Sequence, residues 1–159
     1  MSAVFELVLD CSKSFDPVSF IGEGWKELEK DERAYALLQV DFSKCQFLTC
    51  LKEGEGRIKG EEKLRRLKED HPQLIRHGGN QFLALWEDYQ SNGANSVLEH
   101  LRLTQGMTFL DFPGLILQNP YGLRNVLYLY WEGDHWRWGC GWLVSPWRGR
   151  NRSSVSSTI

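Results

Sequence analysis

The spacing of hydrophobic and polar positions changes about two-thirds of the way along the chain. Before Met107 the clearest signals are helical. Gly60-Glu61-Glu62-Lys63-Leu64-Arg65-Arg66-Leu67-Lys68-Glu69 has acids in its first turn and bases later, which suits the helix dipole, and Pro72 lies beyond its end. Glu61 with Arg65, and Glu62 with Arg66, are i,i+4 pairs in the favourable order. Leu64 and Leu67 supply the inward stripe, so the charge run reads as a solvated face rather than a binding patch. Residues 81–90 predict a second helix, with Phe82, Leu85, Trp86 and Tyr89 on one face and Asn92-Gly93 as its stop. That spacing marks core packing rather than a ligand cradle. Ser96 caps a third, short helix over residues 97–103 that ends near Gly106.

The segments before residue 60 are less decided. Residues 5–9 alternate as a strand. Asp16-Pro17 interrupts, and residues 20–25 carry two glycines in a turn-rich stretch. Residues 34–40 fit either a strand or a helix end, which short apolar runs do not decide. Ser43 is expected to cap a helix through Phe47, Leu48 and Leu51 that stops at Gly54.

From Met107 the period falls to two. Residues 108–112 and 115–118 predict two strands joined by a turn at Pro113-Gly114. Asn119-Pro120-Tyr121-Gly122 is a second turn, residues 126–131 a third strand, and Glu132-Gly133-Asp134-His135 a reversal into Trp136-Arg137-Trp138. The expected architecture is α+β in a single domain over residues 1–159. Residues 107–147 would form an antiparallel sheet resting on helices from residues 43–103. Residues 153–158 are expected to fray.

With 159 residues, 42% hydrophobic and 25% charged, the chain can bury a core without staples. A net charge of −2 gives no sequence-wide basic field for nucleic acid. Met1 to Glu6 show no signal peptide, and the longest nearly apolar run, residues 126–131, is too short to cross a bilayer. The expected location is therefore the cytoplasm or a virion, without membrane insertion. Cys11, Cys45, Cys50 and Cys140 are scattered and read as reduced thiols. Cys45, Cys50, His71 and His77 do not match a usual zinc spacing. No metal and no cofactor are expected.

No catalytic constellation assembles either. Gly54-Glu55-Gly56 lacks the lysine and hydroxyl of a phosphate loop. Glu99, His100 and Asp111 have no nucleophile in a recognisable motif beside them, and Glu99 and His100 read as the exposed side of a short helix. Asp134 and His135 are neighbours in a turn, where consecutive side chains diverge. The chain reads as a binder, not an enzyme.

Composition does single out the tail. Five of the seven Trp residues (Trp131, Trp136, Trp138, Trp142 and Trp147) lie at or beyond position 131. Between and around them stand Gly133, Asp134, His135, Arg137, Gly139, Cys140, Gly141, Val144, Ser145, Pro146, Arg148, Gly149, Arg150, Asn151 and Arg152. These share no period and no chemistry. Every one of their types, however, is reachable from an asparagine codon, AAC or AAT, by changing only its adenines; Trp, Lys, Glu, Gln and Met are not. Residues 126–155 therefore read as a tryptophan frame holding exchangeable positions. Large rings fix the backbone by burial, and strand alternation puts Trp136 and Trp138 on one face with Arg137 on the other.

Asn125-Val126-Leu127-Tyr128-Leu129-Tyr130-Trp131, Trp136-x-Trp138, Trp142-Leu143, Trp147 and Ser153-Ser154-Val155 resemble the variable proteins of diversity-generating retroelements. Residues 59–68 and Asp31-Glu32-Arg33 resemble the same group. In that family a reverse transcriptase copies a template into the gene's 3′ end with errors at adenines. The Gly-Gly-Ser-Trp and Cys-Arg frame of its phage members is absent here. The resemblance implies a C-type-lectin-like fold, N-terminal helices on a C-terminal antiparallel sheet with irregular loops. It also implies ligand binding by the exchangeable residues from Gly133 to Asn151, with a protein surface as the expected ligand. The alternative is a fixed nucleic-acid or carbohydrate site using Arg137, Arg148, Arg150 and Arg152 beside the aromatics.

Overall fold

The computed structural model describes residues 7–157, so Phe5 and Glu6 of the first expected strand lie outside them. The chain runs β1 (Val8–Asp10), α1 (Pro17–Phe20), β2 (Lys26–Lys30), α2 (Glu32–Tyr35), β3 (Gln39–Asp41), β4 (Gln46–Leu48) and β5 (Arg57–Lys59). It continues α3 (Gly60–Asp70), β6 (Ile75–Arg76), α4 (Gly79–Asn92), α5 (Val97–Gln105), β7 (Phe109–Gln118), β8 (Arg124–Glu132), β9 (His135–Trp142), β10 (Pro146–Arg148) and β11 (Arg152–Ser156). The main sheet has the order β4-β11-β7-β8-β9, with β2 also on β7 and β6 also on β11. All its pairings are antiparallel except β11 with β7. Two small ladders, β1 with β3 and β5 with β10, stand apart from it.

Alternation along β7 and β8 sorts their side chains between two faces. On one face Leu110, Phe112, Leu127 and Leu129 meet Phe82 and Leu85 of α4 and Leu98 and Leu101 of α5, all fully buried. Each such side chain stabilises the fold by about 1.5–3 kcal/mol. On the other face Ile116 and Val126 pack with Leu64 of α3, Leu143 and Trp147. The α+β expectation holds, with α4 and α5 on one side of the sheet and α3 on the other.

Several local expectations are overturned. Pro113-Gly114 is not a hairpin turn but an offset inside one ten-residue strand, where the register with β8 jumps between Phe112 and Leu117. Gly114 donates its N–H to His77 O (2.7 Å) and accepts from Asp31 N (2.8 Å), and a Cβ there would sit 2.0 Å from Arg76 O. The close crossing of β6 thus sets the glycine, and pairing with β2 carries the strand onward. Ser43 starts no long helix: Asp41 takes both its N–H (3.0 Å) and its hydroxyl (2.6 Å), closing a single helical turn before β4.

The charged helix is α3, but its face is not wholly solvated: Lys63 and Arg66 are buried. Glu62–Arg66 forms at 3.1 Å, whereas Glu61 pairs with Arg124 (2.8 Å) and Arg65 turns to Glu62 and Glu69. Glu99 is also buried rather than exposed. Residues 153–156 do not fray: β11 sits between β4 and β7, with Ser153, Ser154 and Val155 fully buried, while Thr158 lies outside the described residues. Small polar residues occupy a core strand because each hydroxyl finds a partner, Ser153 at Asp111 and Ser154 at His77 (2.8 Å).

Candidate functional site

The reversal at Gly133-Asp134 is tight because Gly133 adopts φ +70°, a left-handed conformation open to glycine. It leads into β9, the edge strand, where register sets Trp131 opposite Trp136 and Tyr130 opposite Arg137. Trp136 is 1% exposed. Its indole Nε1 donates to Glu99 Oε1 (2.9 Å) and its main-chain N to Tyr89 Oη (3.1 Å). Arg102 and then Trp136 hydrogen-bond the Glu99 carboxyl and hold it below the usual carboxylate range. The Arg102 guanidinium lies 3.9 Å from the centre of the Trp131 ring. Trp138 is half-buried against Phe20, with ring centres 4.9 Å apart.

Beyond β9 the chain folds back over α3. Leu143 and Ser145 carbonyls accept from Glu61 N (2.8 Å) and Gly60 N (3.0 Å), capping a helix start that has no side-chain cap. Trp147 is buried over that start and its Nε1 donates to Trp142 O (3.2 Å). A buried clasp holds the segment down. Lys63 Nζ reaches Asp111 Oδ2 (3.1 Å) and Asn151 O (2.5 Å), while the Ser153 hydroxyl donates to the other Asp111 oxygen.

The expected exchangeable positions fall as follows. Gly133, Asp134, Arg137, Val144, Pro146, Arg148, Gly149 and Arg150 are exposed; His135, Gly139, Cys140, Gly141, Ser145 and Asn151 are intermediate; none is buried. Three depart from a free-display role. A Cβ on Gly139 would come 2.7 Å from the Tyr128 ring, so a side chain there must displace it. Cys140 packs against the core, and burial pushes its thiol up to about 12. Asn151 accepts from Lys63 through its carbonyl and from Arg148 N through Oδ1 (3.3 Å). Within the frame Trp136 and Trp147 are buried, Trp131 and Trp138 intermediate, but Trp142 is 52% exposed and anchors little. Asp134 and His135 do not diverge: His135 Nδ1 lies 2.5 Å from Asp134 Oδ1.

Sequence reasoning missed the floor of this surface. Phe109, Tyr128 and Tyr130 stand half-exposed on the outer face of β7 and β8, Phe109 and Tyr128 stacked at 4.7 Å and the two tyrosines at 5.5 Å. Their signal was the alternation of Tyr with Leu in Leu127-Tyr128-Leu129-Tyr130. Phe109 and Tyr128 line two clefts. One, of about 230 Å³, is closed by Trp142, Ser145, Pro146 and Asn151. The other, of about 250 Å³, has Tyr130 and Arg150. A third, of about 530 Å³, runs beside β9 between Trp86, Tyr89 and Gln90 of α4 and residues 135–138. These clefts bring together stacked rings, guanidinium donors and tyrosine hydroxyls.

The residues weighed for zinc do not gather. Both His77 ring nitrogens are taken by Ser154 and Ser156 hydroxyls (2.8 and 2.9 Å), and Cys45 Sγ contacts Asp41 O. Among the described residues, no three His, Cys, Asp or Glu side chains form a group that could hold a metal. None of the four cysteines is in a disulfide, and no described helix is long and apolar enough to cross a membrane. No protein-family model, curated protein or solved structure matches the chain.

Proposed function

We propose that this chain is a ligand-binding display protein of a diversity-generating retroelement, on a C-type-lectin-like frame, and not an enzyme. The observation that carries the reading is how burial divides residues 133–151. Trp136, Leu143 and Trp147 are buried, while every position whose residue type adenine-directed change can reach, Leu143 apart, lies wholly or partly at the surface. A stretch built for exchange needs that division, because exposed side chains can change at small cost to stability. The helices on both sides of the sheet, with a long segment laid over one face, provide the rigid support such a surface requires. Its ligand is a protein surface: tyrosine rings and arginines give large contact area and adaptable hydrogen bonds.

The test is to sequence the encoding locus and its sibling copies. A near-repeat with adenines at the codons for Asp134, His135, Arg137, Val144, Ser145, Pro146, Arg148 and Arg150, beside a reverse transcriptase gene, is the expected result. Sibling copies that differ evenly along the chain would sink the reading. A second reading, a fixed site for nucleic acid or carbohydrate, draws on Arg150 sharing a cleft with Phe109, Tyr128 and Tyr130. Arg137 lines a different cleft and is ion-paired to Glu132 at 3.0 Å. Siblings that retain every tail arginine would favour this second reading.

A further inference from the structure

β9 ends the strand order, and no described segment pairs with its outer side. In an antiparallel ladder alternate residues turn both main-chain groups away from their partner strand. Trp136 N bonds Tyr89 Oη, and Trp142 O accepts from Ser145 N (3.1 Å) and Trp147 Nε1. These contacts identify Trp136, Trp138, Cys140 and Trp142 as the outward set. Trp136 N and Trp142 O are therefore already occupied. Trp136 O, both groups of Trp138, both groups of Cys140, and Trp142 N have no partner from another described segment.

That pattern is self-complementary. We propose that β9 pairs antiparallel with β9 of a second copy, about a two-fold axis at Gly139, making one continuous sheet. In this register Trp138 faces Cys140 of the partner, and four central hydrogen bonds use the free groups of both residues. Trp136 faces Trp142 of the partner. A full ladder there would link Trp136 N to Trp142 O, the two groups already occupied, and Trp142 N to Trp136 O, the two that are free. Occupied groups meet occupied groups, and free groups meet free groups.

The side chains agree. On the outer face, Gly139 meets Gly139 at the axis and Arg137 meets Gly141, where the missing side chain leaves room for the guanidinium. On the other face, register puts the half-exposed Trp142 against the partner's Trp136, beside the cleft of about 530 Å³ lined by Trp86, Tyr89 and Gln90. The charge distribution fits an antiparallel arrangement too. One end of β9 carries Glu132 and the exposed Asp134. Near the other end Arg148 stands directly opposite Arg57 in the β5–β10 ladder, and neither has an ion-pair partner among the described residues. The two-fold sets Asp134 of each copy opposite Val144 of the other. The pairing is isologous and closed, and it removes the exposed edge.

Sedimentation of the full chain over about 1–200 µM tests it, since self-association depends on concentration. The expected mass is twice the 18.5 kDa of one chain. Gly141→Arg sets two cations against each other across the axis and should weaken the dimer by about tenfold or more, because like charges directly opposite repel. Gly141→Glu should leave it at least as tight. A Cβ at Gly141 makes only ordinary contacts, with Tyr128 and Trp147, so the monomer has room for a side chain to start there. Cys140→Pro removes an outward N–H that β8 does not use and should give a monomer. A wild-type monomer at the highest concentration overturns the proposal, as does a dimer indifferent to the Arg and Glu variants. The pairing is read from mass and the diversification of residues 133–151 from the encoding locus, so the two readings fail separately.

Discussion

Lys63→Met asks what holds the tail segment in place. The lysine side chain is 2% exposed and that of Asp111 1%, so neither charge is compensated by water. Methionine keeps most of the stem's volume and removes the ammonium. Asp111 is left a buried carboxylate with the Ser153 hydroxyl, and Asn151 O loses its donor. Removing one member of a buried ion pair costs about 3–5 kcal/mol, largely the penalty of stranding the other charge. That is about a fifth or more of a typical domain's stability. Asp111→Asn alone should cost a similar amount, and the double variant clearly less than the sum, because neither charge is then stranded. Urea titration followed by tryptophan fluorescence measures all three. Trypsin should also cut faster at Arg148 and Arg150 in Lys63→Met than in wild type, because Asn151 is one tether of that segment. A Lys63→Met cost within about 0.5 kcal/mol, the range of ordinary surface changes, would show that the clasp is not an anchor. Strict additivity in the double variant would show that the two residues do not act as a pair.

Trp136→Ala should destabilise by about 3–5 kcal/mol, whereas the half-exposed Trp142→Ala and the exposed Arg137→Ala should cost under about 1 kcal/mol, measured in dilute solution. Equal losses at Trp136 and Trp142 would contradict the burial pattern. Gly139→Ala should cost about 1–3 kcal/mol by pushing the Tyr128 ring off Phe109, while Gly149→Ala, which meets only Leu51 at 3.7 Å, should be near neutral. Equal tolerance at both glycines would contradict the close approach at Tyr128. Burial lowers the pKa of His77 from its ordinary 6.5 to about 3. The unfolded chain therefore binds a proton over that interval that the folded chain does not, and stability should fall as pH drops from about 6.5 toward 3. Denaturant midpoints between pH 5 and 7 should flatten in His77→Gln; an unchanged slope would assign the effect to other groups.

The helices were legible because each carried its own ends: acids then bases in α3, Asn92-Gly93 after α4, and Ser96 and Gly106 around α5. The β8–β9 hairpin was legible for the same reason, through Gly133 and a run of alternating residues. What was not legible depends on partners distant in sequence. Pro113-Gly114 has the chemistry of a turn, and only the crossing of β6 turns it into an offset. Ser153-Ser154-Val155 has the composition of a frayed end, and only Asp111 and His77 make its hydroxyls acceptable in a core. Lys63 and Glu99 looked like solvated charges because their partners, Asp111 and Trp136, lie dozens of residues away. In the candidate site, residue types set the rings apart from the positions between them, but did not tell a ring that anchors, Trp136, from one that stands out, Trp142.

The place of β11 in the middle of the sheet has a consequence for how the gene can be read. The strand that joins β4 to β7 is made after the whole of residues 133–151, so the main sheet cannot close until the ribosome has passed through that stretch in frame. A stop codon or frameshift introduced within it deletes or scrambles β11. The product then lacks the hydroxyl partners of Asp111 and His77 and cannot complete the sheet. Such chains would remain unfolded and exposed to proteolysis, so only messages intact through residues 133–151 would yield a persistent protein.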